Sequence, residues 1–84
     1  MKKIKTISIW YNGQIVLGTI FDLNSINDNL SMNATFYYQI FSDNNIQLTE
    51  GNLIMEGKDY QDWNTNEYAY NWAAKKLNLE ILPE

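Results

Sequence analysis

Apolar and polar positions alternate through the first half of the chain and then change period. From Lys3 to Tyr11, Ile7, Ile9 and Tyr11 fall on one side and Thr6, Ser8 and Trp10 on the other, a strand pattern. Asn12-Gly13 follows. Both residue types tolerate positive φ, so the pair predicts a type I′ turn and a hairpin. Gln14 to Phe21 returns as a second strand. Asp22 to Asn33 is rich in Asn, Asp and Ser and predicts a loop, with Ile26 and Leu30 at the spacing of one helical turn. Ala34 to Phe41 predicts a third strand, Ser42-Asp43-Asn44-Asn45 a turn, and Ile46 to Met55 a fourth strand with a bulge at Gly51-Asn52.

Gly57 ends the sheet pattern. Asp59 suits the cap of a short turn carrying Tyr60 and Trp63. Asn64 followed by Glu67 has capping-box spacing and predicts a helix over Thr65 to Leu77. Its inward face is Tyr68 or Ala69, Trp72, Ala73 and Leu77, with the Lys76 stem along the core edge. Glu67 in the first turn and Lys75-Lys76 in the last suit the helix dipole. Leu79 to Leu82 reads as a short last strand stopped by Pro83. The fold class expected is α+β: one domain over residues 1–84, a mostly antiparallel four-stranded sheet with one C-terminal helix packed on one face.

One helix covers one sheet face, yet the third strand is apolar on both. Phe36, Tyr38 and Ile40 fall on one side and Tyr37 and Phe41 on the other. The first strand repeats this, with Trp10 opposite Ile7 and Ile9. A half-polar aromatic surface of Trp10, Tyr37, Gln39 and Phe41 is what protein interfaces favour. The plainer reading is that the sheet curls over these rings, or that the segment 22–33 covers them.

Composition narrows the function. Of 84 residues 45% are apolar and 14% aromatic, enough for a core, although a chain this short has a thin stability margin. The formal net charge is −4, from 10 acidic residues and 6 basic ones, all lysine. An acidic chain without arginine is a poor nucleic-acid binder. Cysteine and histidine are both absent, which removes disulfides, thiolate nucleophiles, the usual zinc sites and imidazole-based triads. The apolar run from Ile7 to Tyr11 is too short for a signal-peptide core, and no stretch reads as a membrane span. The reading expects no catalytic, cofactor or metal residues.

Three polar groupings are candidates for chemistry. Asp59, Asp62 and Glu67 gather near a helix start, where carboxylates can hold a cation or move protons but are equally expected for capping. Asp22, Asn24, Asn27, Asp28 and Asn29 loosely resemble a calcium loop, without its central glycine or closing glutamate. Asn29-Leu-Ser31 and Asn33-Ala-Thr35 match the glycosylation triplet, as chance allows in a chain with about a dozen asparagines. The bias towards Asn, Ile, Lys and Tyr favours AT-rich codons, as in a low-GC bacterium or one of its phages.

The runs Phe36-Tyr-Tyr-Gln-Ile-Phe41, Glu50-Gly-Asn-Leu-Ile-Met-Glu-Gly57, Asp59-Tyr-Gln-Asp-Trp63 and Glu67-Tyr-Ala-Tyr-Asn-Trp-Ala-Ala-Lys-Lys-Leu-Asn-Leu79 together resemble small phage-encoded virion proteins. The resemblance spans residues 34–82 and is one of core aromatics and turns, so it carries over no functional residue. It implies a non-catalytic structural or accessory component of a capsid, neck or tail. Such a protein is made in the host cytoplasm, enters the virion, and binds other virion subunits or itself as an oligomer or part of an assembly. No nucleic-acid or membrane partner is expected. The alternative is a small phage-encoded inhibitor that blocks a bacterial defence enzyme.

Overall fold

Four strands, β1 (Lys2–Tyr11), β2 (Gln14–Asp28), β3 (Asn33–Phe41) and β4 (Gln47–Glu56), precede two helices, α1 (Gly57–Asp62) and α2 (Asn66–Leu77). This is a computed structural model; it describes residues 1–28 and 32–83. The strands form an antiparallel meander in the order β1-β2-β3-β4. Asn12 and Gly13 both have positive φ, 49° and 81°, as the hairpin turn requires. Between β3 and β4, the Ser42 hydroxyl accepts from the backbone N–H groups of Asn44 and Ile46, each at 3.3 Å, and closes the turn locally.

Both helices lie on one face of the sheet. The Phe36 ring meets Trp63 of the inter-helix link at 5.0 Å and Trp72 of α2 at 5.7 Å. Phe21 meets Tyr70 edge-on at 5.6 Å. Ile4, Phe21, Leu23, Ala34, Phe36, Ile40 and Met55 from the strands, with Ala69, Trp72, Ala73 and Ala74 from α2, make the buried core. Trp72, only 8% exposed, therefore sits where its periodicity predicts, against Phe36. Tyr70 and Ala74 widen the inward face beyond the expected stripe, and Lys76 is exposed, its stem not part of the core.

Several expectations need correction. There are two helices, not one: Gly57, at φ +63°, ends β4 and Gly57–Asp62 closes into a helical turn and a half. The segment expected as a loop from Asp22 is strand as far as Asp28, because β3 runs alongside and supplies a ladder, with Asn24 opposite Tyr37 and Asp28 opposite Ala34. The Asn29 to Ser31 part of that expectation, with Leu30 and the first glycosylation triplet, lies outside the described residues. The β3–β4 bulge falls at Leu48, between the pairs Ile40–Thr49 and Phe41–Gln47, while Gly51 and Asn52 pair regularly with Tyr38 and Tyr37. Gly51 serves a different end: a Cβ there would stand 2.6 Å from the Tyr38 hydroxyl, so the glycine makes room for that ring. The α2 cap is Thr65, whose hydroxyl accepts from the Tyr68 N–H at 3.1 Å, one residue beyond the expected Asn64.

The expected last strand is reduced to a single bridge, Ile4 with Ile81. Around it, Lys5 N–H donates to the Glu80 carbonyl at 2.8 Å and Leu82 N–H to the Lys3 carbonyl at 2.9 Å. This closes the start of β1 and leaves the rest of that edge, from Thr6 on, beyond its reach.

The sheet is strongly staggered. Lys2 of β1 pairs with Phe21 and Tyr11 with Gln14, whereas β3 pairs with β2 only from Ile20 onwards. The first part of β2 and the β1 strand paired to it therefore run past the end of β3 as a projecting hairpin, in a molecule 42 Å along its longest axis.

Candidate functional site

The projecting hairpin carries the two most exposed large apolar side chains of the sheet, Trp10 and Ile15, with Leu17 beside them. Its two-residue turn fixes the register Tyr11–Gln14, Trp10–Ile15, Ile9–Val16 and Ser8–Leu17. Directly opposed residues share a face. Ile7 and Ile9 turn towards the core side. Trp10, Ile15 and Leu17 stand together on the helix-free face, 73%, 66% and 54% exposed. Scattered surface hydrophobes are ordinary, but an exposed tryptophan flanked by two exposed aliphatics is a patch with an energetic cost in water.

The four residues expected at an interface are split by the stagger. Trp10 opposes Ile15, whereas Phe41 opposes Ile20, about 17 Å farther along β2 at strand rise. Tyr37, Gln39 and Phe41 share the helix-free side of β3 and are half-buried. There Tyr37 donates its hydroxyl to Glu50 at 2.8 Å, Gln39 donates to Gln47, and Gln47 donates to Glu50. The hydrogen bond to the Glu50 carboxylate holds the Tyr37 phenol above its ordinary pKa. These residues form a polar, tethered middle to the face, and the apolar part lies at the hairpin. Ile54, 59% exposed and opposite Thr35, is a separate apolar point on β4.

The carboxylates near α2 are drawn to separate partners. Asp62 pairs with Lys58 at 3.3 Å, Asp59 accepts from the Tyr68 hydroxyl at 3.3 Å, and Glu67 meets Lys2 at 3.5 Å. Among the described residues, no three acidic side chains are grouped to hold a metal ion. Among the described residues, no helix is long and apolar enough to cross a membrane.

A surface hollow of about 660 Å³ lies between the end of β2 and the link joining the helices, lined by Asp28, Tyr60, Gln61, Trp63, Asn64, Thr65 and Asn66. Tyr60 donates to Asp28 at 2.7 Å, which raises the phenol pKa and engages the single carboxylate of the lining. The other groups are amides, a hydroxyl and an indole. They can hydrogen-bond a guest but do not titrate near neutrality, so among the described residues this hollow has no acid–base pair.

Ile15 and Leu17 were not anticipated as site residues, although the signal was present. A two-residue turn at Asn12-Gly13 places residue 15 opposite residue 10 and residue 17 opposite residue 8. No protein-family model, curated protein or solved structure matches this chain.

Proposed function

We propose that this chain is a non-catalytic protein-binding module, a structural or accessory subunit of a phage particle that docks on other virion proteins through its helix-free sheet face. The observation that carries the binding reading is the exposed trio Trp10, Ile15 and Leu17. Aromatic and aliphatic anchors gathered on a rigid strand pair suit a protein partner, because they give contact area with little conformational entropy to lose. The virion setting rests on the aromatic and turn pattern of residues 34–82. An inhibitor of a nucleic-acid enzyme would instead favour acids massed on one face, and the dispersal of Asp59, Asp62 and Glu67 among separate partners supports the subunit reading over it.

Mass spectrometry of purified particles, with wild type competing against an Ile15→Ser, Leu17→Ser variant for incorporation, tests this. Wild type should be present and the folded variant excluded. Absence of the chain from particles, or equal incorporation of both forms, overturns the proposal.

A further inference from the structure

Sheet edges are places where another chain can add a strand, and proteins guard them with charge, bulges or cover. Among the described residues, the free edges of this sheet are guarded at several points. On β4 the edge carries Glu50, Glu56 and the Leu48 bulge. On β2, the part running past the start of β1 has its Leu23 N–H donated to the Tyr70 hydroxyl at 3.3 Å, with Asp22 and the Met1 amine beside it. On β1, Lys3 to Lys5 are covered by residues 80–82. The β1–β2 register shifts between Lys3 and Ile7, so Thr6 lies in an irregular stretch, and from Ile7 to Tyr11 the strand is regular; among the described residues the edge from Thr6 to Tyr11 has no such cover. It belongs to the longest uncharged stretch of the chain, the sixteen residues from Thr6 to Phe21.

We propose that the Thr6–Tyr11 edge pairs with the same edge of a second copy, antiparallel about a two-fold axis, to make one continuous eight-stranded sheet. The proposal rests on the reading of the chain as a binding module and names one partner for it. Charge favours a second copy at this place. The chain is net −4, so two copies repel over most approaches, and the uncharged hairpin is where they meet without that cost. The side-chain pattern is also self-complementary. With the axis at Ile9, Ile9 faces Ile9 and Ile7 faces Tyr11 on the core side, while Ser8 faces Trp10 on the helix-free side. No charged residue enters the register, and it stops short of the segment covered by residues 80–82. An isologous contact of this kind closes at a dimer rather than growing into a fibre. It would also set the two Trp10, Ile15 and Leu17 trios side by side, doubling the apolar face offered to a further partner.

Sedimentation and amide hydrogen exchange test the pairing on the full chain. Wild type should form a concentration-dependent dimer at up to hundreds of micromolar. Amides within Thr6–Tyr11 should gain protection as the dimer forms, while those of Gln47–Glu56 do not change. Ser8→Lys, an exposed position where a lysine guards the edge, should weaken the dimer about tenfold or more with an unchanged circular dichroism spectrum. Thr6→Lys serves as a second edge variant should the first misfold. Ile15→Ser with Leu17→Ser lies off the edge and should leave the dimer intact while losing particle incorporation. A wild type that stays monomeric overturns the pairing and leaves the binding reading to the particle assay. Protection that appears on β4, or a dimer lost in the Ile15, Leu17 variant and kept in Ser8→Lys, shows another mode of contact and also overturns it.

Discussion

Tyr70 shows how one side chain settles several unsatisfied groups. Its hydroxyl accepts from the Leu23 N–H at 3.3 Å and donates to Asp22 at 3.1 Å, while its ring stands edge-on to Phe21 and 5.7 Å from the Lys2 ammonium. Tyr70→Phe keeps the ring and removes both hydrogen bonds. It should cost about 1–3 kcal/mol, read from chemical denaturation, because a buried N–H is left without a partner. Burial, with Asp22 adding to it, holds the Tyr70 phenol above its ordinary pKa. The folded state therefore keeps this proton more tightly than the unfolded chain. That contribution is complete below the ordinary tyrosine range, near pH 10, and is lost as pH rises through the higher folded value. Above about pH 10 wild type should lose stability more steeply than Tyr70→Phe, so the gap between them should narrow. Parallel curves would remove Tyr70 from this role. Gly51 carries a steric counterpart. Gly51→Ala would press a methyl against the Tyr38 ring and should destabilise by about 1–3 kcal/mol in the same assay.

Among the elements, α2 does most to fix the core. Trp72→Ala removes the ring packed at a tilt against Phe36 and should cost about 3–5 kcal/mol, much of the stability of so small a domain. An unmoved denaturation midpoint would contradict the packing described. Thr65→Ala should cost about 1 kcal/mol by uncapping α2, whereas Asn64→Ala should be nearly neutral. The four antiparallel strands, the Asn12-Gly13 turn and the inward Trp72 were legible in the sequence, because period and turn chemistry are local. What was missed depends on neighbours. Asp22 to Asp28 has loop composition but becomes strand beside β3, a tertiary override of propensity. The bulge was assigned to the glycine and sits at Leu48, where no residue type announces it. Trp10 was legible as part of an exposed face. Its separation from Tyr37 and Phe41 was not, since it follows from the stagger of β1 and β2 against β3.

Across the whole molecule, order of synthesis gives the Ile4–Ile81 bridge a second meaning. The three hairpins join strands adjacent in sequence and can form as the chain emerges, whereas this bridge must wait for residues near the other end. Until then a nascent chain shows the whole length of β1 on the ribosome, with Ile4 uncovered beside the edge later used for pairing. Three of the six lysines, Lys2, Lys3 and Lys5, lie at the start of that strand. Positive charge on an open edge discourages premature pairing between chains. Their presence is thus explained by the seconds of synthesis as much as by the finished fold. Replacing Lys3 and Lys5 with Thr should leave the melting temperature of purified protein nearly unchanged while raising the insoluble fraction on expression. The lysines would act as chaperones encoded in the strand itself.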